Sequence, residues 1–137
     1  MNENEWLLLR LLDEVDVPIR GRTRLQKIVF ILRSKFGRFR DYHYSFHYYG
    51  PFSHELADDL ENLRIGGLIR EAAVDAGDLT RYEIEISDRG RKKLEAAPRP
   101  ARLRSSLVGE ARRLNSKNLD SVISQAYGIA RREGLNP

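Results

Sequence analysis

The sequence predicts a mainly helical α+β fold, on three observations. Apolar residues recur at helical spacing along most of the chain. Near the middle, two short alternating stretches flank the turn-forming segment Asp75-Ala-Gly-Asp78, as in a β-hairpin. At 137 residues with no cysteine, the chain is long enough to bury a core without a disulfide or metal staple.

Glu3 to Val15 reads as the first helix. Trp6, Leu7, Leu8, Leu9, Leu11 and Leu12 place apolar groups on nearly every side of it, the pattern of a buried helix. Pro18 disfavours helix at Val17 and ends it. A second helix is expected from about Arg24 to Phe36. Thr23 is its N-cap, Gln26 sits three residues later as in a capping box, and Leu25, Ile28, Val29, Leu32 and Phe36 form one stripe. Tyr42 to Tyr49 alternates as a strand, which Gly50-Pro51 breaks. Ser53 caps a third helix, His54 to Ile65, with Leu56, Leu60 and Leu63 inward and Gly66-Gly67 as its stop.

Leu68 to Ala72 and Thr80 to Ile86 are the hairpin strands, and Ser87 caps a short helix through about Leu94. Ala97-Pro-Arg-Pro100 is a stiff linker. Two further stripes follow, Leu103, Leu107, Ala111, Leu114 and then Leu119, Val122, Ile123, Ala126, Ala130, joined by a turn at Asn115-Ser116. The order helix, helix, strand, helix, hairpin is that of a winged helix-turn-helix, with the hairpin as the wing. Residues 1–97 form that unit in this reading. Residues 98–137 form a linker and a C-terminal helical hairpin that packs on the same unit or on a dimer partner.

No apolar run approaches the roughly 20 residues that span a bilayer. The start, Met1-Asn-Glu-Asn-Glu5, is polar and acidic where a secretory signal would be basic and then apolar. The expectation is a cytoplasmic protein without membrane contact. The formal net charge is +4, and arginine outnumbers lysine 19 to 5. Arginine suits phosphate because its planar fork binds two oxygens at once. The charge is also segregated. Residues 19–40 carry eight basic side chains and no acidic one, residues 89–117 ten basic and two acidic, and residues 54–64 four acidic and one basic. Segregation of this kind suggests a face with a partner.

Two stretches resemble known families. Tyr82-Glu-Ile-Glu-Ile-Ser-Asp-Arg-Gly90, followed by Leu94, resembles the strand and T-x-x-G passage that closes many bacterial and archaeal winged-helix regulators. Gly21-Arg-Thr-Arg-Leu-Gln-Lys27, Phe46-His-Tyr-Tyr-Gly-Pro-Phe-Ser53, Leu56 and Leu60 resemble the YwgA-type family. More distantly they are similar to the SocA-like, or Panacea, antitoxin domains, which share a Leu-Gln-Lys helix and a Gly-Pro turn. The resemblance covers roughly residues 5 to 95, and Ala126-Tyr127 in the last helix also suits the YwgA type. It implies a winged-helix fold in proteins often described as candidate transcription factors. In the Panacea case it implies a domain that neutralises a partner toxin. It brings no catalytic residues.

Two functional expectations follow. The first is binding of double-stranded DNA by a homodimer, with contacts between copies through the first helix or the tail. Arg20, Arg22, Arg24 and Lys27 straddle a helix N-terminus, where backbone N–H groups and the helix dipole favour phosphate. Arg81 on the wing and Arg89, Arg91, Lys92 and Lys93 after it would follow the backbone, with Arg99, Arg102 and Arg104 beyond. The second is docking of a protein partner, in the antitoxin or adaptor manner, on the acidic face Glu55, Asp58, Asp59 and Glu61. Four carboxylates there oppose ordinary groove reading by that helix. The aromatic segment Phe46 to Ser53 reads first as core plus a rigid turn, and secondarily as a stacking surface for bases. His43, His47, His54 and Asp58 have no spacing that fixes a metal site. No phosphate-binding glycine loop, nucleophile elbow or zinc-binding helix motif occurs, so neither an enzyme nor a cofactor is expected.

Overall fold

The computed structural model describes residues 1–77, 79–97 and 101–135. Its elements are α1 (Glu3–Val15), β1 (Ile19–Arg20), α2 (Arg22–Phe36), β2 (Ser45–His47), β3 (Gly50–Phe52), α3 (His54–Ile65), β4 (Ile69–Ala76), β5 (Leu79–Ile86), α4 (Asp88–Ala96), α5 (Ser105–Ser116) and α6 (Leu119–Arg132). This is an α+β fold, mainly helical, with two small antiparallel sheets ordered β1-β5-β4 and β2-β3. Among the described residues no helix is long and apolar enough to cross a membrane.

The centre of the fold is α2. Every residue from Arg24 to Leu32 is buried, so this helix has no solvent face over its middle turns. The expected single stripe is therefore too narrow. Ile28 to Leu32 are five apolar residues in succession, and they cover more of the circumference than one stripe can. The helices α5 and α6 pack against α2, and α5 also packs against α1, so the tail shares one hydrophobic core with the rest of the chain. Leu103, Leu107, Val108, Ala111, Leu114, Val122, Ala126, Ile129 and Ala130 are the tail's contribution to it.

Polar side chains fix that docking. Arg112 donates to the last carbonyls of α1, Glu14 O at 2.8 Å and Val15 O at 3.0 Å. Asn115 donates to Pro18 O and accepts from the Arg20 N–H, both at 2.9 Å, and so supplies the partners that β1 lacks on its outer edge. Arg24 donates to Leu114 O and Lys117 O, satisfying carbonyls at the end of α5. The tail turn lies at Lys117-Asn118, two residues beyond the expected Asn115-Ser116, because Asn115 is held inside the helix by these bonds.

Other boundaries also differ from expectation. The helix α2 begins at Arg22 with Gly21 as its N-cap, not at Thr23, because Gln26 turns away to bond elsewhere. The expected strand Tyr42 to Tyr49 is instead a hairpin. Gly50-Pro51 does not end it but forms its second strand, with Tyr48-Tyr49 as the turn. The two-residue strand β1 was not anticipated. It pairs with β5 through Ile19↔Ile84 and Arg20↔Glu83. The strands β4 and β5 are longer than expected, their register running to the pair Ala76↔Leu79, and the expected turn residue Asp78 lies outside the described residues. The Pro98 to Pro100 linker lies outside the described residues.

The Ser-x-x-Gly passage joins the hairpin to α4. Ser87 Oγ accepts from Gly90 N at 3.0 Å and donates to Gly67 O at 2.6 Å. Gly90 sits on the chain after α3, where a Cβ would lie 2.2 Å from Leu68 O and 2.7 Å from Ile86 Cγ1. Alanine gains about 1 kcal/mol of helix propensity over glycine, but a backbone oxygen cannot rotate out of the way as a side chain can. Gly90→Ala should therefore lower stability by about 2 kcal/mol or more, read as a lower urea midpoint. Gly109→Ala, with nothing near its Cβ position, should be neutral or stabilising in the same assay.

Candidate phosphate-binding concavity

Two groups of polar residues on α2 have different fates. Gln26 and Lys27 face the β2–β3 hairpin from inside the core. The Gln26 amide makes a reciprocal pair with the backbone of Ser53: Nε2 donates to Ser53 O and Oε1 accepts from Ser53 N, both at 2.9 Å. Lys27 Nζ donates to Pro51 O at 3.0 Å. Gly50, at φ +101°, passes close to Lys27, and a Cβ there would meet the Tyr127 ring at 3.2 Å. The Leu-Gln-Lys helix and the Gly-Pro turn are thus two halves of one hydrogen-bonded joint.

This corrects part of the expected phosphate clamp. Lys27 and Arg24 are 2% and 4% exposed, Arg24 donating to Leu114 O and Lys117 O and Lys27 donating once, to Pro51 O, so neither offers a surface charge. Burial pushes the Lys27 ammonium down to about 8 from its ordinary 10.5.

Around the start of α2, however, the cations do converge. A concavity of about 720 Å³ is lined by Arg20, Arg22, Arg24, Arg81 and Lys117, together with Gly21, Thr23, Tyr82, Ser116, Asn118 and Leu119. No carboxylate is among those residues. The start of α2 lines the concavity through Gly21, Arg22, Thr23 and Arg24, without an acidic residue, and its first N–H groups have no side-chain cap there. The Arg24 pKa is lowered, chiefly by burial and then by the charges of Arg20 and Arg81, which shows how closely the arginines crowd. Arg81 is held by Glu83 at 3.2 Å, yet its Nε is buried without a partner among the described residues. Arg22 is half-committed elsewhere. Its Nε and Nη2 grip Glu71 on β4, and its guanidinium lies 5.6 Å from the centre of the Tyr82 ring.

The basic residues of α4 do not join this concavity. Arg91 is paired with Asp13, Asp16 and Asp88, and Lys93 lies over the Trp6 ring at 6.0 Å. Arg89 and Lys92 are exposed on the same helix, which packs on α1. Arg102 pairs with Glu14, Arg104 is the α5 N-cap, and Arg99 lies outside the described residues. Lys117 lies within the basic stretch 89–117 but was not among the residues expected to make contacts. Its signal was its place at the turn between two helical stripes.

The acidic face of α3 is also smaller than expected. Asp59 is buried, accepting from Tyr42 Oη at 2.7 Å and Asn2 Nδ2 at 3.1 Å. Glu55 accepts from the His43 backbone and ring, which hold its carboxyl below the usual range, and Glu61 is paired with Arg64. Asp58 is exposed without an ion-pair partner among the described residues. Those residues hold no cluster of three or more potential metal ligands.

No protein-family model matches the chain. The chain is similar to the uncharacterized protein YwgA of Bacillus subtilis (strain 168), 33% identical over 77 residues. The match covers 56% of this chain and 46% of that protein, so the chain spans about half the length of the curated relative it matches. The similarity agrees with the YwgA-type resemblance over part of the chain and carries no role.

Two outcomes test the joint. Gln26→Leu leaves the Ser53 N–H buried and unpaired, while Ser53 O keeps the Ala57 N–H, and should cost roughly 1–3 kcal/mol in urea unfolding. The Lys27 proton gives a pH signature. Between about pH 8 and 10.5 the unfolded chain holds that proton and the folded chain does not, so stability should rise with pH across this window. Tyr42 and Tyr44 are pushed up by burial and act oppositely at the alkaline end. The rise should therefore be read as the wild-type trend minus that of Lys27→Met, from urea midpoints at pH 7 to 10.

Proposed function

We propose that this chain is a winged-helix protein that binds double-stranded DNA by seating the phosphate backbone in the concavity at the start of α2, as a transcriptional regulator would. The observation that carries this reading is the convergence of Arg20, Arg22, Arg81 and Lys117 around the buried Arg24, with no lining carboxylate, on an uncapped helix N-terminus. Such a site supplies position and charge, which are what phosphate contacts require. The element order supports the winged-helix reading. A short strand after the first helix pairs with the second strand of the terminal hairpin, giving the sheet order β1-β5-β4, and the small hairpin β2–β3 is inserted between the second and third helices.

In this reading α3 is not the groove reader, since Glu55, Asp58 and Glu61 would face phosphates. The partner-docking alternative is left with a narrow face, because Asp59 is internal and Glu55 and Glu61 already have partners.

Fluorescence anisotropy of a labelled random-sequence duplex tests the proposal. Wild type should bind at low salt and lose affinity steeply toward physiological salt. Arg20→Glu combined with Arg81→Glu should weaken binding by about tenfold or more, equally across sequences, with the unfolding midpoint monitored alongside. Unchanged affinity in the double variant, or no binding by wild type at low salt, refutes the assignment.

A further inference from the structure

A second cavity, about 360 Å³, lies on the other side of Arg22, enclosed by α2, the β2–β3 hairpin, α3 and the sheet β4–β5. That volume falls within the range of small-molecule sites. Phe52, Leu60, Ile69 and Ile84 supply apolar wall, and Tyr48 and Tyr49 stand at the hairpin turn with 88% and 54% of their surface exposed.

The charges lining it do not balance. Arg22 is bonded to Glu71 and Arg64 to Glu61, which leaves Lys27 as the unmatched charge. Lys27 is 2% exposed, and no carboxylate among the described residues lies within ion-pair distance of it. Its ammonium has three N–H donors and one acceptor, Pro51 O. A buried cation with two idle donors and no counter-ion is costly unless something supplies an anion.

We propose that this cavity binds a small apolar molecule bearing one carboxylate, whose charge pairs with Lys27 while its hydrocarbon part lies against Phe52, Leu60, Ile69 and Ile84. The carboxylate uses the idle N–H donors and neutralises the one unmatched lining charge. The apolar walls then distinguish such a molecule from a small hydrophilic anion. This site adjoins the phosphate concavity across Arg22 and Thr23 but does not rest on it, and its test does not involve nucleic acid.

The experiment is calorimetric titration of the full chain with phenylacetate, indole-3-acetate and isovalerate, each beside its neutral amide. At least one acid should bind, and about tenfold or more tighter than its amide. In Lys27→Met that preference should vanish, while Lys35→Met keeps it. Amide-proton NMR on the wild type supplies a readout independent of the variant's folding: the acid should shift Gly50, Phe52, Ile69 and Ile84. The proposal is overturned if no acid binds at up to about 10 mM, if amides bind as tightly as acids, if Lys27→Met retains the preference, or if the shifts fall elsewhere.

Discussion

The constraint on which the structure depends is that α2 is buried around its whole circumference while carrying Arg24, Gln26 and Lys27. A buried polar group must find a partner, and a helix has already used its own carbonyls. Each of the three therefore reaches into a different segment and captures its main chain. Arg24 takes the end of α5, Gln26 takes Ser53 at the start of α3, and Lys27 takes Pro51 in β3. The apolar residues between them drive burial without direction, and the polar ones give it direction. The tail, the small hairpin and α3 are thus all registered against one helix.

The same economy of partners shapes the electrostatics. Many basic residues on the surface are matched, among them Arg91 by three aspartates, Arg70 by Glu85, and Arg33 and Lys35 by Glu133 and Glu110. Exposed pairs of this type contribute little stability each, but they cancel field. At the start of α2, positive charge accumulates where helix, strand edge and tail turn meet. Because Arg24 is desolvated and crowded there, the folded chain holds unfavourable charge proximity that the unfolded chain lacks. A net charge of +4 spread over the surface would be unremarkable; three arginines and a lysine around one buried guanidinium are not.

Local rules made much of the architecture legible. The bounds of α1 and α3 follow from a run at helical period and a terminating turn, with Ser53 as the cap of α3, all within one short window; the Asn2 cap of α1 is added by the structure. The Ser87 cap and the strand alternation through Ile84 and Ile86 were equally local. What failed was long-range. Nothing near β1 indicates that Ile19-Arg20 will find β5 more than sixty residues later, and Gly50-Pro51 reads as a break until Lys27 and Gln26 are seen to hold it. Charge misled for the same reason. Arg24, Lys27 and Asp59 look like surface residues because their partners, Leu114, Lys117, Pro51 and Tyr42, are distant in sequence. The available signal was the uninterrupted apolar run from Ile28 to Leu32, which requires neighbours on every side of the helix that bears those charges.

Arg22 and Thr23 belong to the walls of both cavities, so the two spaces share a partition. That partition is held by Glu71, which faces only the apolar cavity. A phosphate in the basic concavity would compete with Glu71 for the Arg22 guanidinium. Drawing Arg22 across would leave an unneutralised carboxylate beside the other space, where a second anion would meet it. Two anionic occupants, if both are bound, would then weaken each other, and thermodynamic reciprocity would make the factor the same in both directions.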